Sequence, residues 1–202
     1  MTNSQADVLR AALEILDERG AGGVSLRTIA QRLGVRMNTV LWHAKSKARL
    51  EELMADAIVA GASLDELPRH WRERATEIAR RYRAALLAHR DGATVVAGTY
   101  AAEPATLDLA EVLAGALLDG GMSAREAAWT CWSLIYFILG LAQEEQALPD
   151  RALPGLSVGQ RPALQRVFPF LAEDSFEERF EFGVAKLLAK PAGNRKRSAA
   201  RG

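Results

Sequence analysis

Apolar residues recur every three or four positions along most of this 202-residue chain, and this spacing constrains the fold more than any other feature. Between residues 4 and 19, for example, Leu9, Leu13 and Leu16 fall on one face of a helix. No segment shows the sustained alternation of apolar and polar residues that a half-buried strand requires. The sequence therefore predicts an all-α fold.

Glycines, prolines and serines divide the chain into a series of predicted helices. These helices span residues 4–19, 25–33, 36–43, 47–62, 68–89, 93–100, 106–119, 123–146 and 175–188. Residues 147–162 hold three prolines and two glycines and are predicted to form a loop. Residues 191–202 are predicted to form a disordered basic tail.

The composition is that of an ordinary globular protein, with 49% hydrophobic and 25% charged residues. Cys131 is the single cysteine and cannot form an internal disulfide. The first residues lack the basic start and apolar run of a signal peptide, and the most apolar stretch, residues 129–142, is too short to span a bilayer. These features predict a soluble, cytoplasmic protein with no membrane partner.

Charge is distributed unevenly along the sequence. Residues 1–50 carry a balance of +4, residues 51–185 a balance of −9, and residues 186–202 a balance of +6. A basic block on an acidic body indicates contact with a polyanion at one end, although a small basic domain with solvated charges fits the same numbers.

Residues 25–47, SLRTIAQRLGVRMNTVLWHAKSK, have the spacing of a helix-turn-helix motif. Ala30 allows two short helices to cross closely, Gly34 permits the tight turn between them, and Val40 anchors the second helix inward. The exposed residues at the start of the second helix, where a recognition helix meets base edges, are Arg36, Met37, Asn38 and Thr39. The residues that follow are types suited to phosphate oxygens: Trp42, His43, Lys45 and Lys47.

The runs AALEILDERGAGGVSLRTIAQRLGV and NTVLWHAKSKARLEELM resemble the DNA-binding domain of the TetR family of bacterial transcriptional repressors. The likeness continues beyond that domain. Trp71, ALLAHRDGATVVAGT at residues 85–99 and FILGLAQEEQ at residues 137–146 resemble the regulatory domain of the family's tetracycline-repressor class. The resemblance implies an N-terminal three-helix DNA-binding domain followed by a C-terminal helical regulatory and dimerisation domain.

The resemblance also implies which residues contact operator DNA. Arg27 matches a base-contacting arginine, and Met37 replaces a glutamine at a recognition position, which predicts a changed operator sequence. Leu41 stands where the family usually has a tyrosine that contacts DNA. The full set of predicted DNA-binding residues is Ser25, Arg27, Arg36, Met37, Asn38, Thr39, Leu41, Trp42, His43 and Lys47.

The regulatory part departs from the family's tetracycline-binding members at the polar contacts to the drug. A histidine that coordinates Mg²⁺–tetracycline is replaced by Val96, an asparagine is replaced by Ile78, and a second histidine is missing near residues 59–61. A hard cation needs oxygen or imidazole ligands. The resemblance therefore predicts a small apolar or amphipathic effector that binds without metal, and no cofactor.

The predicted lining of the effector pocket is Ile78, Tyr82, Leu86, Val96, Thr99, Tyr100, Val112, Trp129, Leu134 and Phe137, although an aromatic stripe at helical spacing also fits plain core packing. Glu144 is also a predicted ligand-binding residue, because in the family the residue at this position extends toward the ligand site of the partner subunit. The helix at residues 123–146 and the last helix both have wide apolar faces, and in the family these regions form a four-helix dimer interface. A homodimer is therefore expected, with a large monomeric core as the alternative.

The sequence gives little support to an enzyme. Residues 155–159 fit the G-x-S-x-G pattern, yet they lie in a proline-rich loop with no strand before it. No Cys/His metal spacing and no glycine-rich phosphate loop is visible. A helical enzyme is a remote alternative, and a constitutive DNA-binding regulator whose pocket is filled by its own side chains is a nearer one.

Together these features predict a ligand-responsive dimeric repressor that binds a palindromic operator and is released from it by a small molecule. The predicted divisions are a DNA-binding domain at residues 1–46, a connecting helix at 47–62, a ligand-binding and dimerisation domain at 63–190, and the tail at 191–202.

Overall fold

The computed structural model describes residues 4–99, 102–147, 159–171 and 175–189, and every regular element in these ranges is helical. In chain order they are α1 (Gln5–Arg19), a short 3-10 helix (Ala21–Gly23), α2 (Leu26–Leu33), α3 (Met37–Ala44), α4 (Lys47–Ala60), α5 (Trp71–Leu87), α6 (Gly92–Ala97), α7 (Pro104–Asp119), α8 (Ala124–Ala147), α9 (Pro162–Leu171) and α10 (Phe176–Leu187). The predicted all-α fold class is confirmed. Within these ranges no helix combines the length and hydropathy needed to cross a bilayer.

The predicted helices differ from the observed ones at their ends and by one omission. Helix α5 begins at Trp71 rather than at residue 68, and α6 ends at Ala97 with Gly98 as its C-cap. The sequence does not predict α9, whose first residue, Pro162, is the last residue of the predicted loop. Pro162 takes the first helical position, where a missing N–H costs no intrahelical hydrogen bond. Tyr100, residues 148–158 and the predicted tail lie outside the described residues.

Serine side chains cap the first two helices, α1 and α2. Ser4 accepts a hydrogen bond from the Asp7 N–H, and Ser25 accepts one from the Thr28 N–H, so each serine satisfies an N–H of the first turn that has no partner within the helix. Gly34 ends α2 with a φ of +64°, in the left-handed region where a residue without Cβ is favoured.

Helices α1–α3, which we call the head, pack around one apolar cluster. Its centre is formed by Leu16 of α1, Ile29 of α2 and Val40 of α3, which are completely buried. Helices α5–α8 and α10, which we call the body, form a second layer in which α5 packs against α7, α8 and α10.

Helix α4 belongs to both units. It contacts α1 and α3 in the head and α5, α6 and α7 in the body, so one apolar core runs through the molecule. The loop between α5 and α6 adds polar contacts to the head. Asp91 accepts a hydrogen bond from the Ala21 N–H at 2.8 Å, and Asp17 accepts one from the Arg90 N–H at 3.1 Å.

Substituting Gly183 of α10 by alanine should lower the free energy of unfolding by about 1–3 kcal/mol, because overpacking a filled site forces neighbouring groups to move. A Cβ built at Gly183 would overlap the phenyl ring of Phe137 on α8. Chemical denaturation at a fixed protein concentration measures the change.

Gly115→Ala in α7 is the matched control, since nothing lies within 4 Å of a Cβ built there. That variant should gain about 0.5–1 kcal/mol from helix propensity. Equal stability of the two variants would contradict the close packing of α10 on α8.

Candidate nucleic-acid interface and ligand cavity

Helix α3 has one face in the head and the opposite face in solvent. Val40 and Ala44 are buried, whereas Met37 and Asn38 are exposed. Residues 34–36 join α2 to α3, and the turn is closed by a hydrogen bond of 3.0 Å from the Val35 N–H to the Ala30 carbonyl. This is the arrangement of a helix-turn-helix, with the start of its second helix open to an external partner.

An aromatic and basic surface follows the exposed start of α3. The Trp42 side chain is 72% exposed, and Nζ of Lys45 lies 4.7 Å from its ring centroid. Nζ of Lys47 lies 3.3 Å from Oε1 of Glu51, one turn further along α4. Lysines and an indole N–H are donors that suit phosphate oxygens.

The arginines of α2 differ in their surroundings. Arg32 pairs with Glu14 at 3.3 Å and with Glu18, and its hydrogen bond to Glu18 lowers the pKa of that carboxyl. Arg32 is therefore paired with two carboxylates of α1 at the surface of the head, whereas Arg27 on the same helix is exposed. Sequence patterns give no sign of this difference, because the two arginines have similar local contexts.

The structure describes all of the predicted DNA-binding residues. Six of them are exposed: Arg27, Arg36, Met37, Asn38, Trp42 and Lys47. Four of them are half-buried: Ser25, Thr39, Leu41 and His43. The Ser25 hydroxyl is already engaged as the cap of α2, and the His43 carbonyl accepts a hydrogen bond from the Gln5 side chain.

A cavity of about 740 Å³ lies among α4, α5, α6, α7 and α8. Its lining is mostly apolar and comprises Ala55, Val59, Tyr82, Val96, Ala97, Thr99, Ala102, Thr106, Leu107, Leu109, Ala110, Ala114, Ala128, Cys131, Trp132, Ile135, Tyr136, Leu139, Gly140 and Gln143. None of these lining residues carries a carboxylate, an ammonium, a guanidinium or an imidazole.

The polar groups of the lining are few and neutral. Burial raises the pKa of the Tyr82 phenol, so this hydroxyl stays protonated. The Thr99 hydroxyl donates to the Val96 carbonyl at 3.1 Å. On α8, the rings of Trp132 and Tyr136 are stacked with centroids 5.3 Å apart, and both side chains are about half exposed.

The cavity brings together three of the predicted pocket residues: Tyr82, Val96 and Thr99. Ile78, Leu86 and Leu134 are instead packed in the core with at most 1% exposure. Val112 and Phe137 are half-buried and pack against that core, and Glu144 is exposed. Trp129 lines a separate cleft of about 380 Å³ between the start of α8 and the end of α10.

Sequence reasoning missed most of the lining, including the contributions of α4 and α7. Ala55 and Val59 lie on the connecting helix, and Thr106 and Leu107 begin α7. Their helical periodicity marks some of them as inward, but periodicity does not tell whether an inward side chain meets a neighbour or a void.

Two family models match the chain. Residues 8–54 match the tetR family of bacterial regulatory proteins, and residues 65–189 match the tetracyclin repressor-like C-terminal domain. The chain belongs to the TetR family. The first match covers most of the head and the start of α4, and the second covers the body with its cavity.

Individual TetR relatives resemble the chain over nearly its whole length. The tetracycline repressor protein class A from transposon 1721 of Escherichia coli is 36% identical over 93% of this chain and 90% of its own. The Streptomyces coelicolor protein ActR, solved in complex with (S)-DNPA, superposes with a TM-score of 0.83 at 25% identity and covers 93% of this chain and 96% of its own. A BioQ protein bound to its double-stranded DNA operator superposes with a TM-score of 0.67 at 30% identity. This match covers 84% of this chain and 98% of the BioQ chain.

Replacing Arg27 or Asn38 by alanine should weaken binding to a specific operator by about 1–3 kcal/mol each, because a side chain that bonds two base atoms contributes that much discrimination. Binding to random-sequence DNA should change less, since phosphate contacts remain. Fluorescence anisotropy with a duplex selected from a random pool measures both affinities at one salt concentration.

Arg10→Ala is the control, because it removes an exposed positive charge from α1. We expect the fold and the thermal midpoint to be unchanged in all three variants. Operator affinity that is unaltered by Arg27→Ala and Asn38→Ala would reject the assigned recognition surface.

Proposed function

We propose that this TetR-family repressor is released from its operator by an uncharged, aromatic or amphipathic small molecule that binds without metal. The observation that carries the proposal is the large cavity with a neutral lining that reaches α4, the helix on which the head is built. Effector binding would favour a conformer whose recognition helices no longer match successive major grooves, about 34–36 Å apart.

The shape and chemistry of the lining support an aromatic ligand. Stacked Trp132 and Tyr136 offer flat faces, and the small side chains of Ala110 and Ala114 on α7 leave room for a ligand. Burying apolar ligand surface contributes about 25 cal/mol per Å². The hydroxyl of Tyr82 and the amide of Gln143 can orient a ligand that carries one or two neutral polar groups.

The lining does not fit a hydrated or chelated divalent cation. Mg²⁺ takes oxygen ligands in near-octahedral geometry, usually with at least one carboxylate. At the position where tetracycline-binding relatives carry a histidine, Val96 lines the cavity with two methyl groups. The described residues also contain no cluster of three or more His, Cys, Asp or Glu side chains that could hold a metal.

The protein acts as a dimer, and α8 and α10 supply the apolar surface that a partner subunit would cover. Outside the cavity lining, Trp129 of α8 is 60% exposed and Phe182 of α10 is 67% exposed. Such large exposed apolar patches mark interaction sites rather than solvated surface. A two-fold axis through these helices would present two heads to a palindromic operator.

The proposed division of labour follows the predicted boundaries. Residues 1–46 would read DNA, residues 47–62 would connect the two parts and add Ala55 and Val59 to the cavity wall, and residues 63–190 would bind effector and partner subunit. The relatives are transcriptional regulators, and we propose that this chain has no catalytic activity and works in the cytoplasm, where its operator lies.

Ala110→Trp should weaken binding of N-phenyl-1-naphthylamine by at least about tenfold, which corresponds to about 1.4 kcal/mol. This uncharged aromatic dye fluoresces in apolar surroundings, and the added indole would occupy the cavity that the dye needs. Ala124→Trp is the matched control, since Ala124 is exposed at the start of α8 and does not line the cavity. Dye binding that is equal in both variants and the wild type would exclude this cavity as the binding site.

Mg²⁺ with tetracycline should leave the operator complex intact, because Val96 cannot coordinate the cation. Electrophoretic mobility shift with a selected operator measures release, and the class A relative serves as the positive control. A thermal-shift screen of neutral aromatic compounds, with and without operator, should in contrast find ligands that both stabilise the protein and release DNA. Release by Mg²⁺–tetracycline would overturn the assignment of a metal-free effector.

A further inference from the structure

Two polar contacts join α4 to the N-terminal end of α7. Arg49 pairs with both carboxylate oxygens of Glu103, with Nη2 lying 3.0 Å from Oε2. Two turns further along α4, Oδ1 of Asp56 accepts from the Thr106 N–H at 2.8 Å and from the Thr106 hydroxyl at 2.9 Å. Residues seven positions apart lie on the same face of a helix, so both contacts face α7.

The first turn of α7 is capped by a residue of another helix rather than by its own N-cap residue. Glu103 is the N-cap residue of α7, yet its side chain makes no capping hydrogen bond, because its carboxylate is bound by Arg49. This pairing lowers the pKa of Glu103, which keeps the carboxylate ionised. The N–H groups of Ala105 and Thr106, which have no partner within α7, donate hydrogen bonds to the Asp56 carboxylate of α4 instead.

The junction is also a wall of the cavity. Thr106 lines the cavity while its hydroxyl donates to Asp56, and Ala55, the neighbour of Asp56 on α4, also lines the cavity. A ligand that moves the first turn of α7 therefore changes the geometry of a hydrogen bond whose acceptor lies on the helix that carries the head.

We propose that Asp56 is a positioning residue that transmits occupancy of the cavity to the head through its hydrogen bonds to Thr106. This inference rests on the proposed function, in which the cavity binds the effector. Asp56 does not line the cavity, and its hydrogen bonds go to Ala105 and Thr106 of α7 rather than to a predicted DNA-binding residue, so its removal should uncouple two sites without damaging either.

The test measures the coupling between two ligands rather than either affinity alone. N-phenyl-1-naphthylamine is titrated into the full-length protein with and without saturating operator duplex selected from a random pool. In the wild type the operator should weaken dye binding by about 5–150-fold, the usual range of allosteric coupling. We call the Kd for dye with operator, divided by the Kd for dye alone, the coupling ratio. In Asp56→Ala the coupling ratio should fall to between one and about two, while the affinities for dye alone and for operator alone stay within about threefold of wild type.

Two comparison variants separate coupling from general damage. Asp56→Asn keeps an acceptor oxygen at a capping position and should retain most of the ratio. Arg80→Gln breaks the Arg80–Glu181 contact between α5 and α10, far along the chain from the junction, and should leave the ratio unchanged. If Asp56→Ala does not fold, Thr106→Val removes the hydroxyl contact and should lower the ratio whatever it does to dye affinity.

The outcomes distinguish this inference from the proposed function. A wild-type ratio above fivefold that persists in Asp56→Ala and Thr106→Val overturns the role of Asp56 and leaves the effector site standing. If the wild-type protein does not bind the dye, or if its affinity for the dye is the same with and without operator, both the role of Asp56 and the proposed effector site are overturned. Loss of the ratio in Asp56→Ala with retention in Asp56→Asn and Arg80→Gln is the result that we expect.

Discussion

Burial of α4 on two sides is the constraint on which the rest of the structure depends. Leu50, Met54 and Ile58 are at most 1% exposed, and burying a side chain of this size contributes about 1.5–3 kcal/mol. Because α1 and α3 cover one side of α4 and three body helices cover the other, neither unit can shift relative to α4 without exposing apolar surface. Movement in the body therefore reaches the head through this helix.

Polar contacts at the edges of this core fix how the units are oriented. Apolar packing is non-directional, whereas a hydrogen bond between named atoms tolerates little displacement. Asp17 and Asp91 hold the head to the loop before α6, and Asp56 and Arg49 hold α4 to α7. The packing holds the helices together, and these four side chains determine the register in which they meet.

The head was predictable from sequence because its signals are local. Gly34 and Val40 each act within a few residues, and the structure has the turn and the buried anchor where these two residues predict them. The cavity was less predictable, because five helices from distant parts of the chain form it. Ile78 and Tyr82 lie on the same face of α5, yet only Tyr82 lines the cavity. The difference depends on which side chain of a neighbouring helix packs against each of them.

The neutral lining also decides how finely the regulator can tell one compound from another. An apolar pocket distinguishes ligands that differ by one methylene by only about 1–3 kcal/mol, whereas rejection of a close analogue by several orders of magnitude requires polar groups left unpaired by the wrong ligand. Tyr82 and Gln143 supply few such groups. Compounds that share one flat apolar skeleton would therefore differ little in their affinity for this cavity.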